Sequence, residues 1–407
     1  MTFSASELLQ FDGLKDLIAG YAGSAAGRAL VRALEPHRDR AVLEAALAEA
    51  GEAIAYLHEV AGAQQTARGA AIRLRFDQLR DLEAPLRVLQ IEGAALAGIQ
   101  ILDLFHALAI AGEYRAVLLS AAERYPRLAR RARQLADLRE LTRTFGRAFL
   151  PDGSLADDAS PALARIRREI ARQQRSIQDS LERFLRAHRA DRTLQQDFVT
   201  IREDRYVVPV VSGQKGRVDG VIHGASGSGR TLFIEPLETI ALNNRLVELR
   251  EDELREIDRI LSEITGALRE HAPVIAATVE TLAELDCVFA KAAFASDYNA
   301  VIPRFSPVGQ PILAAAAFRG GVSEPCPSER ASTERDGFRK LLLREARHPL
   351  LESVLRKQRK PIVPISFELN QERRCLLISG PNTGGKTVSL KTAGLLALMA
   401  HAALPVP

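Results

Sequence analysis

The sequence predicts a multidomain, mainly α protein with a small antiparallel β-sheet and, toward its last residues, the start of a P-loop α/β domain. Three observations predict it. Most of the chain spaces its apolar residues three and four apart, as amphipathic helices do. The period drops to two only between Phe198 and Ile234. Finally, Gly380 to Thr387 reads G-x-x-x-x-G-K-[ST] between an apolar pentapeptide and a further helical run.

Composition sets the frame. A chain of 407 residues, 47% apolar and 26% charged, has room for roughly two to four domains with ordinary globular cores. No run of 18 apolar residues occurs, and Met1 to Asp16 lacks a basic region followed by an apolar core. Neither a membrane span nor a signal peptide is therefore expected, and a cytoplasmic location is. Cys287, Cys326 and Cys375 form no C-x-x-C, which argues against a structural zinc and a disulfide framework. The net charge of +4 and pI near 9.0 invite a nucleic-acid partner, but the distribution of the charge carries more weight than its sum.

In chain order, Ser6 to about His58 reads as short helices that pack as a bundle. A break rich in Gly, Ala and Gln, Ala61 to Ala71, leads into a periodic stretch from Leu74 to Leu89. A long apolar helix follows from roughly Gly93 to Ala122, ended by Tyr125-Pro126. Arg127, Arg130, Arg131 and Arg133 then fit either a nucleic-acid face or a solvated helix face.

Pro151-Asp152-Gly153-Ser154 is a turn, and Ser160-Pro161 reads as N-cap and first residue of a helix running to about His188. Leu163, Ile166, Ile170, Ile177, Leu181 and Phe184 form its seam, interrupted by Gln173. Nine Arg against four acidic residues between Pro161 and Arg192 leave the outward faces strongly basic. Phe198 to Ile201, Tyr206 to Val211, Arg217 to His223 and Arg230 to Ile234 are the predicted strands of the small sheet. Its loops, Ser212 to Gly216 and Gly224 to Arg230, fit phosphate binding and tight turns equally well. After Pro236 a second long helix places Ile240, Val247, Leu254, Leu261 and Leu268 seven apart, with Ile257 and Ile264 on companion positions. Two helices of this length reach about 45 to 50 Å, enough to pair antiparallel and carry the sheet away from a body. His271-Ala272-Pro273 breaks that arm, and Val274 to Tyr298 makes one more helix.

Pro303 to Arg335 turns to Pro, Gly, Ala and Ser and reads as irregular connection. Strands are expected at Phe338 to Leu343, Ile362 to Phe367 and Cys375 to Ser379, with a turn at Arg347 to Leu351 and no catalytic role for His348. The loop Gly380-Pro381-Asn382-Thr383-Gly384-Gly385-Lys386-Thr387 then meets the helix Val388 to His401. Its chemistry needs a Gly-rich backbone that curls round the β-phosphate of ATP, where side chains at Gly380, Gly384 and Gly385 would obstruct. Lys386 reaches the β- and γ-phosphates, and Thr387 offers its hydroxyl to Mg²⁺.

Several strings carry a resemblance: Asp204 to Val210 (DRYVVPV), Gly229 to Pro236 (GRTLFIEP), Leu242 to Leu246 (LNNRL), Arg347 to Leu350 (RHPL) and the P-loop. With the order of parts, they make the chain resemble the MutS family, in its bacterial type II branch, which lacks the mismatch-reading domain. The resemblance implies a helical core (1–150), a first lever helix (151–196), a β clamp on nucleic-acid backbone (197–235), a second lever helix returning to the core (236–300) and the start of a dimeric ABC-type ATPase domain (301–407). It also implies that Asn382 lies near the γ-phosphate, that the strand beginning at Ile362 packs on adenine, and that Arg202, Arg205, Lys215, Arg217 and Arg230 are candidate nucleic-acid contacts.

The family continues through a Walker B acidic strand, a signature loop and, in this branch, a C-terminal Smr nuclease; the 407 residues stop about twenty beyond Lys386. The chain is thus expected to be truncated just after the Walker A motif, with no ATP turnover or nuclease activity of its own, and with Leu390, Leu395, Leu396, Leu398 and Met399 partly uncovered. The implied function is that of the N-terminal part of an ATP-dependent DNA-binding protein that suppresses homologous recombination, on double-stranded or branched DNA. The full-length form is expected to be a homodimer, with no membrane partner. An ATPase on stalled or collided ribosomes and a non-catalytic coiled-coil fragment are the alternatives. An SMC-like ATPase is disfavoured, because there the P-loop precedes the coiled-coil arm and here it follows.

Overall fold

The mainly α character follows from helical runs burying their apolar faces against one another, and among the described residues the strands form two small antiparallel sheets. The computed structural model describes residues 5–66, 73–188, 199–227, 229–305, 340–370, 372–380 and 385–407. Helices are α1 (Ala5–Leu8), α2 (Phe11–Ala19), α3 (Ala25–Arg32), α4 (Arg40–Thr66), α5 (Glu83–Leu89), α6 (Gly98–Ser120), α7 (Pro126–Ala132) and α8 (Arg139–Gly146). They continue as α9 (Pro161–His188), α10 (Leu237–Glu270), α11 (Ala272–Tyr298), α12 (Pro349–Lys357) and α13 (Lys386–His401). Strands are β1 (Thr200–Arg202), β2 (Arg205–Val211), β3 (Gly220–Ala225), β4 (Thr231–Pro236), β5 (Leu341–Ala346) and β6 (Ile365–Leu369). The chain divides into two compact units, one of Met1–Leu82, His106–Arg139 and Pro273–Pro407, the other of Glu83–Phe105 and Glu140–Ala272.

In the first unit, α2, α3, α11 and α13 bury Phe11, Leu14, Ile18, Val31, Phe294 and Met399 against one another. Phe294 stacks on Tyr298 with centroids 4.7 Å apart, and Tyr21 meets Phe294 edge-on. This core corrects the expectation for α13. Leu395, Leu396, Leu398 and Met399 are buried, because the N-terminal helices cover them, and only Leu390 of the five is exposed. A polar contact anchors the same core: the buried Asp286 carboxylate of α11 accepts from Gly23 N (3.0 Å), Ser24 N (2.7 Å) and Ser24 Oγ (2.6 Å). Ser24 Oγ in turn accepts from Gly27 N and N-caps α3.

Other boundaries in this unit shift for local reasons. Pro273 stands in the first turn of α11 and starts that helix, where its missing N–H costs nothing. Arg347 to Leu351 is a helix start, with His348 as N-cap and Pro349 in the first turn of α12. Arg131 of α7 is held by Glu49 and Glu284, and Arg127 lies 3.6 Å from Glu52, so these two side chains tie helices together. The expected strand Phe338 to Leu343 is seen as β5 from Leu341; Lys340 precedes it outside the strand, and Phe338 and Arg339 lie outside the described residues. The strand expected from Ile362 starts at Ile365, and β5 and β6 pair with a register shift between Leu343 and Ala346.

In the second unit, α9 and α10 run as an antiparallel pair, and the sheet, ordered β1-β2-β4-β3, packs where α9 ends and α10 begins. Ser160 caps α9 as expected, its Oγ accepting from Leu163 N at 3.0 Å. The Pro151 turn is closed by Leu150 N to Ser154 O at 2.8 Å, with Gly153 at φ +85°. Gly93 at φ +77° delays α6 to Gly98, and α5 is limited to Glu83–Leu89, with Pro85 in its first turn.

The seam of α10 keeps only part of the expected heptads: Ile264 and Leu268 are buried, but Leu254 is 63% exposed, and Leu246, Leu249 and Ile260, outside that series, are buried as well. Polar groups fill the middle of the interface: Arg167 Nε donates to Glu253 (2.7 Å), Ser160 Oγ to Glu256 (2.7 Å), and Gln173 Nε2 to the Leu242 carbonyl (2.8 Å). Arg259 and Ser160 hold the Glu256 carboxyl down, from an ordinary 4.5 to about 2. A depressed carboxylate contributes stability that is present above 4.5 and lost as pH falls through about 2. Denaturant titrations of Glu256→Gln between pH 2 and 6 are expected to give lower stability at neutral pH and a shallower acid decline. An unchanged acid limb would mean that Glu256 does not couple to folding.

Candidate nucleotide loop and nucleic-acid surface

The ends of the G-x-x-x-x-G-K-T loop are described; Pro381, Asn382, Thr383 and Gly384 lie outside the described residues. Residues 373–379 form no strand, correcting the expectation for Cys375 to Ser379, and Leu377 is 88% exposed. Apolar sequence makes a strand only where a ladder partner takes its N–H and C=O groups, and the described residues offer none to this segment.

Beyond the loop, α13 starts at Lys386 with Gly385 as left-handed N-cap. Lys386 Nζ reaches back to donate to the Gly380 carbonyl at 2.6 Å, so the lysine spans the loop from helix to entry. Gly380 and Gly385 have φ of +147° and +79°, and a Cβ at either would meet nothing within 4 Å. Glycine is needed there for its backbone conformation, not for space inside the protein. The ammonium carries three donors, one of which goes to that carbonyl. Thr387, in the first turn, is exposed, and its hydroxyl is open to a ligand. Ile362 lies in irregular backbone before β6, half-buried.

On the sheet, the five candidate cations divide by environment. Arg202 stacks over Phe233, its guanidinium carbon 4.4 Å from the ring centroid. Arg205 is committed inward: Nη1 bonds both oxygens of Glu235 (3.0 and 3.1 Å) and Nη2 bonds Asn244 Oδ1 (2.6 Å). Lys215 lies in the 3-10 turn Ser212–Arg217, while Arg217 and Arg230 are exposed. The second glycine-rich loop is a tight turn, with Gly229 N on Ser226 O and Thr231 N on Ser226 Oγ.

The sequence pattern did not single out the polar cluster beneath these cations. Glu235, 1% exposed, accepts from Arg205, from His223 Nε2 (2.7 Å) and from Asn243 Nδ2 (2.8 Å). Asn243, fully buried on α10, also accepts from Tyr206 N (3.0 Å) and donates to Tyr206 O (3.1 Å). Its amide thus extends the β2 ladder as a strand neighbour would, and fixes the sheet to the helix. A glutamate inside the apolar run Phe233 to Pro236, and paired asparagines inside a helix, were the available signals.

No family model matches the chain. Its sequence is similar to three proteins named Endonuclease MutS2. That of Pelotomaculum thermopropionicum is 34% identical over 413 residues, covering 100% of this chain and 46% of the relative. That of Thermomicrobium roseum is 36% identical over 405 residues, covering 98% and 46%. That of Geobacillus sp. (strain WCH70) is 33% identical over 407 residues, covering 98% and 45%. The chain spans about half the length of the curated relatives it matches. The similarity runs through the helical first half, which carried no motif of its own, as well as through the sheet, the long helices and the nucleotide loop. The chain is therefore a MutS2-like member of the MutS family.

Proposed function

We propose that the chain is the amino-terminal part of an ATP-dependent, DNA-binding protein that suppresses homologous recombination and works in the cytoplasm, as a homodimer in its full-length form. The observation that carries this reading is the Lys386 bridge to Gly380, which holds a cation over a loop whose two described glycines adopt positive φ at the start of a 16-residue helix. A helix N-terminus and the positive charge of Lys386 favour a phosphate there. Thr387 would offer its hydroxyl to Mg²⁺, which neutralises phosphate charge when bound.

Lys386 supplies charge at the loop, Gly380 and Gly385 supply the backbone turn, and Arg202, Arg217 and Arg230 present positive charge on the sheet. Nuclease activity is named for the MutS2 relatives and is proposed only for the whole protein. Among the described residues no helix is long and apolar enough to cross a membrane.

The loop and the sheet belong to different units, so one substitution separates them. Lys386→Ala is expected to weaken binding of a fluorescent ATP analogue by on the order of 100-fold, the worth of about 2 to 3 kcal/mol for a charge-assisted contact. Binding of a DNA duplex by the same folded variant should be unchanged. Equal loss of both activities would contradict the two-site reading, and unchanged nucleotide binding would remove its ATP half.

A further inference from the structure

We propose that the outward face of α9 is a second polyanion site, built to lie along the phosphate backbone of a nucleic-acid duplex and separate from the sheet; the proposal rests on the nucleic-acid part of the function proposed above. Arg165, Arg168, Arg172, Arg175, Arg183 and Arg186 are all exposed. At 3.6 residues per turn they fall within an arc of about 80°. The buried seam of Leu163, Ile177 and Leu181 lies on the opposite side of the same helix. One acidic residue, Asp179, occupies the gap in the row.

Four arginines of this row are set apart from their neighbours by their pairing. Arg165, Arg168, Arg172 and Arg175 have no acidic partner among the described residues; Arg168 turns its Nε onto the carbonyl of Ala164. By contrast Arg167, on the flank of the seam, is bound by Asp157 and Glu253. On α10, Arg255 lies against Glu251 and Asp252, and Arg259 against Glu256 and Glu263. A merely solvated helix face interleaves opposite charges at i and i+4, as α10 does, because like charges at that spacing repel. Arg165, Arg168, Arg172 and Arg175 bear that repulsion without an ion pair among the described residues, whereas Arg186 at the far end lies 3.5 Å from Glu182, and an external polyanion would relieve the four.

Geometry favours a duplex over a flexible acidic peptide. From Arg165 to Arg186 the helix rises about 32 Å, close to one turn of duplex at about 34 Å. Over that distance a duplex offers a rigid line of charge, one per about 1.7 Å. An acidic peptide would have to be ordered to match the same straight row. The row contains no Asn or Gln, so it tracks backbone and leaves sequence unread.

The test uses the 407-residue chain and a mixed-sequence duplex of about 30 base pairs, with affinity measured from 50 to 200 mM salt. In R165Q/R168Q/R172Q/R175Q the slope of log K against log salt should become shallower by about 3 to 4, with affinity at low salt reduced on the order of 100-fold. Glutamine keeps helix propensity, and circular dichroism checks the fold. The quadruple Arg→Lys chain should retain the steep slope, which a packing role would not predict. R202Q/R217Q/R230Q, on the sheet, should keep the contribution of the row.

An unchanged slope in the glutamine variant, beside normal binding by the unsubstituted chain, would overturn the α9 site and leave the sheet reading standing. Absence of any binding by the unsubstituted chain at 50 mM salt would overturn both. Competition by polyglutamate as effective as by duplex, and dependent on the same four arginines, would overturn the nucleic-acid assignment in favour of an acidic protein partner.

Discussion

Asp286→Ala is expected to destabilise the first unit by about 4 kcal/mol, from the desolvation cost of about 1 to 3 kcal/mol for each buried donor left without an acceptor. The substitution strands Gly23 N, Ser24 N and Ser24 Oγ together, all of which converge on one carboxylate that is 1% exposed. Ser24 would also lose the contact that orients its hydroxyl toward Gly27 N, so the cap of α3 weakens as well. Against a total stability of roughly 5 to 15 kcal/mol for a domain, the loss is large enough to show as a lower denaturant midpoint and earlier proteolysis. Gly27→Ala attacks the same contact from the other side: an added Cβ would stand 2.1 Å from Asp286 Oδ2, which is pinned and cannot yield without giving up Ser24. The two substitutions should therefore be far from additive. A midpoint within experimental error of the parent chain for either one would mean that water replaces the contact without loss.

What was legible in the sequence is what local chemistry determines. Ser160-Pro161, the Pro151 turn and the alternating run Tyr206 to Val211 each signal through a few adjacent residues, and each stands where expected. The misreadings share a different cause. Leu254 has the right spacing for a seam yet is exposed, because Glu253 and Glu256 take inward positions and are satisfied by Arg167 and Ser160 across the helix pair. An apolar count cannot see an ion pair used as packing. Leu395 and Met399 were expected to be uncovered because nothing in the nearby sequence says that Phe11, Leu14 and Ile18 lie over them. Residues 373–379 have strand composition without a strand partner, and pairing is a tertiary fact. At the candidate site, the loop string is legible as a motif, whereas the ion pair of Arg205 with Glu235 is not, since a free arginine and a paired one look alike in sequence.

Asn243→Asp is the second large effect expected, and it separates hydrogen-bond polarity from packing. The two side chains have nearly the same shape, so a site that merely needs filling would tolerate the exchange. At Asn243 one amide oxygen accepts from Tyr206 N, which a carboxylate oxygen does equally well. The amide nitrogen, however, donates to Tyr206 O and to Glu235 Oε1, and a second carboxylate oxygen there would face two acceptors, one of them charged. Removing a donor from a buried charge and adding a like charge beside it is expected to cost about 4 kcal/mol or more, beyond the roughly 3 kcal/mol of plain truncation. Asn243→Asp should thus be less stable than Asn243→Ala at pH 7, an order that packing alone would reverse. At acid pH the new carboxyl takes up a proton, regains a donor and should recover much of the loss. Because this amide fixes the sheet to α10, the Asp variant should also loosen the sheet first, seen as faster amide exchange at Tyr206 while the far end of α10, at the buried Ile260 and Ile264, stays protected. If the Asp variant proves as stable as the parent across pH 4 to 8, the amide is not the joint between sheet and helix.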